Sequence, residues 1–314
     1  PFPPQVADGV GQVGSGNQGK ARHHRGFGGV GGRKYESLKP HFLDGQGDGQ
    51  HAPHGAQPPV QGQFPDHGHP GQSFDAVFHL AASGVSPDAR DLEGLVTGNV
   101  LLTCNVIAAL ADRPPRRFVH VGSCSEYAPF YGIGRLAEDH VLAPSSLYGA
   151  AKASAFLCGR ALAERSGVPF VALRLFNVYG PGEAPTRLVP YLLARLRAGE
   201  TPELTGGEQV RDFTFIDDVA DALIAAASDA LTPGCAYNVC TGMPVRVREV
   251  IERVAGLAGR SGAELGLGRR PYREDEPMWI VGNPGRFVAA TGWAPRVELA
   301  EGLRRMVREE MRRP

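Results

Sequence analysis

Three side chains in this sequence, Ser123, Tyr148 and Lys152, are of types suited to acid–base chemistry, the plain alternatives being a serine-rich turn and a charged pair on a solvated helix face. Tyr148 and Lys152 are four residues apart in a stretch rich in alanine, so a helix would put them on one face. An ammonium held near a phenol favours the phenolate, which brings a tyrosine with an ordinary pKa near 10 toward the range of a general acid or base. Ser123 lies about 25 residues earlier, where the apolar run Phe118, Val119 and Val121 stops in the small residues GSCS. A brief β-branched run bounded by turn residues suits the interior of a parallel sheet. In open α/β sheets ligands bind beyond the carboxyl ends of the strands, where Ser123 would stand.

The elements that must carry these residues can be read from residue 74 onward. Strands are expected over Asp75–Ala82, Arg117–Gly122, Phe170–Leu175, Arg211–Ile216 and Ala236–Cys240. Between and after them helical periodicity marks Leu92–Leu110, Leu147–Ser166, Leu188–Ala198, Asp217–Ser228, Val247–Leu257 and Leu299–Met311. Apolar runs alternating with helices predict an α/β fold with a parallel sheet and right-handed crossovers.

Residues 1–73 differ in kind. They hold seven of the ten histidines and 17 of the 42 glycines, with hardly any aliphatic periodicity. Such a segment buries too little apolar surface to offset its ordering entropy, so it is read as low-complexity, disordered or non-native. Gly26, Gly29 and Gly32 fit a Gly-x-x-Gly-x-x-Gly spacing, yet no apolar strand precedes them and no helix start follows. The histidines are too scattered for a metal site.

Bulk properties exclude several classes. A net charge of zero gives no footprint for nucleic acid. No apolar run is read as long enough to span a membrane, and the start lacks the layout of a signal peptide. Five cysteines without C-x-x-C spacing argue against zinc or a disulfide framework and for a reducing, cytoplasmic setting.

From about Phe74 the ordered set FDAVFHLAA, GNVLLTCNVIAAL, VHVGSCSEYA, EDHVLAPSSLYGAAKASA, RLFNVYGPG, GGEQVRDFTFIDDVADAL, YNVCTG and ATGWAP resembles the extended short-chain dehydrogenase/reductases that act on nucleotide-diphosphate sugars. The resemblance implies a Rossmann-like sheet whose N-terminal strands are missing or scrambled in residues 1–73. It implies a cofactor-binding core over 74–180, with 211–240 returning to it, and a smaller substrate domain from 181–210 and 241–314. It makes Ser123, Tyr148 and Lys152 the catalytic triad, with NADP or NAD as cofactor and Ala81, Ala82 and Asn99 beside it. Asn177, Arg211 and Arg273 would face the nucleotide diphosphate of the substrate, and Trp293 would serve packing. A homodimer through Leu92–Leu110 and Leu147–Ser166 is implied as well.

Within the family, 4,6-dehydratases place an acidic pair just after the hydroxyl residue. Here Cys124 and Ser125 hold those places, and an extended backbone would turn Glu126 to the opposite face. Dehydration is thus disfavoured, and the GSCSEY loop, the EDH segment and the PYREDEP and TGWAP tail most resemble bacterial 4-ketoreductases, which implies reduction of a nucleotide-diphospho-4-keto-6-deoxysugar. A 4-epimerase is the alternative, and a catalytically inactive sugar-nucleotide-binding protein is a third reading from another class.

Overall fold

The computed structural model describes residues 74–85, 91–261, 264–274 and 276–312. The expectations for residues 1–73, including the glycines at 26 to 32, lie outside the described residues. Four parallel strands form the main sheet: β1 (Ala76–His79), β2 (Arg117–Ser123), β3 (Phe170–Leu175) and β7 (Ala236–Val239), in the order β1-β2-β3-β7. Their sequences are nearly continuous apolar runs because both sheet faces are covered. Phe118, Phe170 and Ala172 pack with Ile107 and Phe156 on one face. Val119, Val171 and Leu173 pack with Val219, Ala222, Ala226, Phe287 and Trp293 on the other. Trp293 donates its indole N–H to the Asp218 carbonyl at 3.0 Å, a packing role as expected. Among the described residues β1 pairs with β2 alone, and Phe78 and Leu80 at its far side are exposed.

The helix expected over Leu92–Leu110 is less regular than its periodicity suggests. It begins as α1 (Leu92–Leu95), capped by Asp91 on the Gly94 amide, winds as a π-helix over Val96–Leu101 and continues as α2 (Leu102–Ala109). Leu92–Ala109 is also long and apolar enough to cross a membrane by length and composition, contrary to the sequence reading. Its Asn99 and Thr103 are buried and hydrogen-bonded inside the fold, as in a core helix. Helix α3 (Leu147–Arg165) packs against it at Gly159, where an added Cβ would lie 3.0 Å from Thr103 Cγ2. The small residues of α3 are what this close approach requires.

A second layer surrounds the carboxyl ends of the main strands. Strand β4 (Asn177–Tyr179) pairs with β6 (Phe213–Phe215), and β5 (Val210–Arg211) lies between β8 (Val245–Arg246) and β9 (Trp279–Ile280). The single strand expected over Arg211–Ile216 is thus two strands in different sheets, and Ile216 opens α5 (Ile216–Ala226). Asp212 causes the break. Fully buried, it accepts from the Thr241 amide at 2.8 Å, the Thr241 hydroxyl at 2.6 Å, the Gly242 amide at 2.8 Å and the Gly282 amide at 3.2 Å. Helices α4 (Leu188–Arg197), α6 (Val247–Leu257) and α8 (Leu299–Arg312) close this layer over Leu192, Val254, Leu303 and Met306. Helix α7 (Gly285–Thr291) contributes Phe287 to the main-sheet core instead.

Candidate active site

Strand β2 delivers Ser123 to the end of the sheet, and the chain then turns tightly. Cys124–Glu126 forms one turn of 3-10 helix, with the Ser123 hydroxyl accepting from the Ser125 amide at 3.1 Å. Glu126 reaches back, and its Oε1 accepts from the Ser123 amide at 2.7 Å, a reciprocal capping arrangement. The extended backbone expected after Ser123, which would turn Glu126 to the opposite face, is corrected here: Cys124–Glu126 is helical. Its second oxygen pairs with Arg174 Nε at 2.7 Å, and both side chains are almost fully buried. Arg174 in turn donates to the Tyr127 hydroxyl at 3.1 Å, which donates to Asn238 Oδ1 at 2.6 Å. Burial pushes the Glu126 carboxyl up, and Arg174 opposes that shift. Burial also pushes the Cys124 thiol up to about 12, so it stays protonated.

Helix α3 brings Tyr148 and Lys152 to the same region. Ser146 caps the helix by accepting from the Gly149 amide at 3.1 Å. An added Cβ at Gly149 would meet the Ser125 carbonyl oxygen and lie 2.8 Å from Pro144 Cβ, so the start of α3 lies hard against the turn after Ser123. Lys152 is 2% exposed and donates to the Val121 carbonyl at 2.6 Å. Burial lowers its pKa, and the Glu126 carboxylate works against that. Two buried histidines stand near this ammonium. His120 stacks between His79 and Phe170, with ring centroids 5.7 and 5.6 Å away. Burial first, and the Lys152 charge second, hold both imidazoles below their ordinary pKa.

At the carboxyl end of β1, Ala81 and Ala82 are exposed, leaving room for close approach of a ligand. Asn99, expected beside the cofactor, spends its side chain on structure. Its Nδ2 donates to the Ser83 and Leu95 carbonyls at 3.1 and 2.8 Å, and its Oδ1 accepts from the Ser83 amide at 3.3 Å. It therefore fastens the loop after β1 to the π-wound stretch. A buried lysine one turn beyond a tyrosine, with two exposed alanines following β1, is of the kind that fits the ribose and nicotinamide end of a dinucleotide. The glycine spacing considered for the pyrophosphate end falls outside the described residues.

A cavity of about 700 Å³ lies beside Tyr148 and the turn after Ser123, and Ser123, Lys152, Ala81, Ala82 and Asn99 are not among its lining residues. Tyr148, Asn177, Arg211 and Arg273 all line it, together with Cys124 and Ser125 beside Ser123. Arg211 Nη2 lies 2.6 Å from Glu276 Oε1, and Arg273 Nη2 lies 2.8 Å from Glu276 Oε2. One carboxylate thus brings the two expected arginines together. Glu276 was not anticipated from sequence, although its place three residues after Arg273 was available. Another carboxylate at the wall, Glu183, is paired with Arg187 at 3.1 Å.

The sequence pattern of the NAD dependent epimerase/dehydratase family matches residues 69–240. The chain belongs to that family. Its relatives include a dTDP-glucose 4,6-dehydratase of Xanthomonas campestris, 27% identical over 261 residues covering 74% of this chain and 71% of the relative. A GDP-6-deoxy-D-mannose reductase of Pseudomonas aeruginosa is 29% identical over 241 residues, covering 73% of this chain and 78% of the relative. Among solved structures, MoeE5 in complex with UDP-glucuronic acid and NAD superposes with a TM-score of 0.69 at 32% identity, covering 76% of this chain and 79% of that one. RMD from Pseudomonas aeruginosa, complexed with NADPH, gives 0.67 at 27% identity, covering 76% and 82%. The family member described here is thus an enzyme that modifies nucleotide sugars, with a Rossmann-like parallel sheet.

Proposed function

We propose that this enzyme reduces a nucleotide-diphospho-4-keto-6-deoxysugar with NADPH or NADH. The observation that carries the reading is the fate of Glu126. Elimination of water needs an acid and a base beside the sugar, and the one carboxylate in the turn after Ser123 is buried in an ion pair with Arg174. Cys124 is held as a neutral thiol and Ser125 is a hydroxyl, so neither supplies the missing base. Reduction asks less of the protein: a proton for the sugar oxygen and a fixed orientation.

In this reading the Ser123 hydroxyl donates a hydrogen bond to the keto oxygen and Tyr148 transfers the proton to it. Lys152 holds the nicotinamide ribose and favours the phenolate left on Tyr148. When bound, the dinucleotide supplies the hydride. Arg211 and Arg273 bind the substrate diphosphate, for which a planar cationic donor is suited, and Asn177 binds beside them. Ala81 and Ala82 allow the cofactor to approach, while Asn99 holds the loop that carries it. We read the setting as cytoplasmic and the assembly as a homodimer through the stretches Leu92–Leu110 and Leu147–Ser166.

The test follows nicotinamide absorbance at saturating NADPH while sugar products are separated by chromatography. One NADPH consumed per sugar reduced is expected. Isomerisation without net oxidation would overturn the reductase in favour of a 4-epimerase. Tight nucleotide-sugar binding with no turnover would point to a binding protein.

A further inference from the structure

Glu126 is explained by the capping turn and its ion pair, yet its surroundings carry more than stability. Its Oε1 accepts from the Ser123 amide, and any side chain at Gly122 would collide with that same oxygen. The carbonyl of the preceding residue, Val121, receives Lys152 Nζ. Carboxylate and ammonium therefore flank one short stretch of main chain, Val121 to Ser123, inside the protein. A buried carboxylate with one oxygen on the backbone of the serine and the other on Arg174 is fixed in place. A nearby opposite charge in a poorly solvated region favours the ionised form of a lysine.

We propose that Glu126 is a positioning residue that acts twice: it sets the backbone from which Ser123 presents its hydroxyl, and it keeps the buried Lys152 charged. The inference rests on the catalytic reading of Ser123, Tyr148 and Lys152. The groups around Lys152 make Glu126 the source of this effect. From β1 and β2 come His79 and His120, each held below its ordinary pKa chiefly by burial, and from its own helix comes Tyr148. From β3 comes Arg174, a cation that binds Glu126 directly. Glu126 is the anion that opposes the effect of burial on Lys152.

The experiment reads Lys152 directly. The chain has only three other lysines, Lys20, Lys34 and Lys39, so protein labelled with 13C-lysine gives few ε-methylene resonances. Lys152 is assigned by its loss in Lys152→Arg. In Glu126→Gln the Lys152 titration midpoint should fall by about one unit or more, and the alkaline limb of kcat should move down with it. Glu126→Asp should restore the midpoint, because the charge is kept, but not kcat, because the shorter side chain cannot span the Ser123 amide and Arg174. Should Glu126→Gln fail to fold with Arg174 left unpaired, Glu126→Gln combined with Arg174→Met removes both buried charges. A smaller downward shift is expected there, because removing the Arg174 charge works in the opposite direction. An unchanged Lys152 midpoint in the folded variant would overturn the inference. The titration needs no substrate, so a wild-type chain that reduces no keto sugar would overturn the functional reading alone.

Discussion

Replacing Gly149 by alanine tests how closely the two halves of the site must meet. Helix propensity alone favours the change by about 0.8–1.0 kcal/mol, since glycine is a poor residue inside a helix. Packing opposes it. The new methyl would lie 2.8 Å from Pro144 Cβ and also meet the Ser125 carbonyl oxygen, whereas carbon atoms settle at about 3.5–4.0 Å. The first turn of α3 must then retreat by roughly 1 Å, and Tyr148, its immediate neighbour, moves with it. A misplacement of about that size can cost ~10²-fold in rate, or about 2.7 kcal/mol of transition-state stabilisation. The assay is kcat/KM for reduction, followed by NADPH absorbance, beside a thermal melt of the same protein. The expected outcome is a large loss of kcat/KM with a small change in melting temperature. A folded Gly149→Ala enzyme with wild-type kcat/KM would refute the claim that this contact sets the distance between Ser123 and Tyr148.

Other outcomes follow from the same geometry. Tyr148→Phe should abolish turnover with little loss of stability, and Lys152→Ala should weaken cofactor binding and raise the pH optimum; fluorescence titration and pH–rate profiles check both. Phe118→Ala, at a fully buried ring stacked 5.7 Å from Phe170, should cost about 3–5 kcal/mol in a denaturant titration. At pH 8 a thiol raised to about 12 is thiolate in roughly one molecule in 10⁴. Native iodoacetamide labelling should therefore modify the exposed Cys158 and spare Cys124, as peptide mass spectrometry would show.

Much of the site was legible because its parts are local. Helical spacing put Tyr148 and Lys152 on one helix and a strand ending in small residues placed Ser123, while their grouping as a triad came from the family resemblance. Asn99 was expected beside the cofactor, and its bonds to Ser83 and Leu95 were not foreseen, because the π-wound stretch that turns it onto Ser83 leaves no periodic trace. The misreading of Glu126 came from assuming an extended backbone after β2. Two signals stood against that assumption. Ser123-Cys-Ser-Glu126 has the spacing of a capping box. Arg174 is the next-to-last residue of the otherwise apolar run Phe170–Leu175, and a cation in a buried strand requires a counter-ion from elsewhere. Asp212 was hidden for the opposite reason: besides the Thr241 hydroxyl, its partners are backbone amides at 241, 242 and 282, which lie far from it in sequence.

That dependence on backbone has an evolutionary consequence. Three of the four donors to Asp212 are main-chain amides, and a main-chain amide is the same whatever side chain its residue bears. The junction that holds Thr241, Gly242 and Gly282 together is thus indifferent to most substitutions at exposed neighbours such as Met243. Loops anchored in this way can exchange their side chains while the scaffold keeps its shape. New sugars could then be explored one wall residue at a time, without rebuilding the frame that presents Ser123, Tyr148 and Lys152.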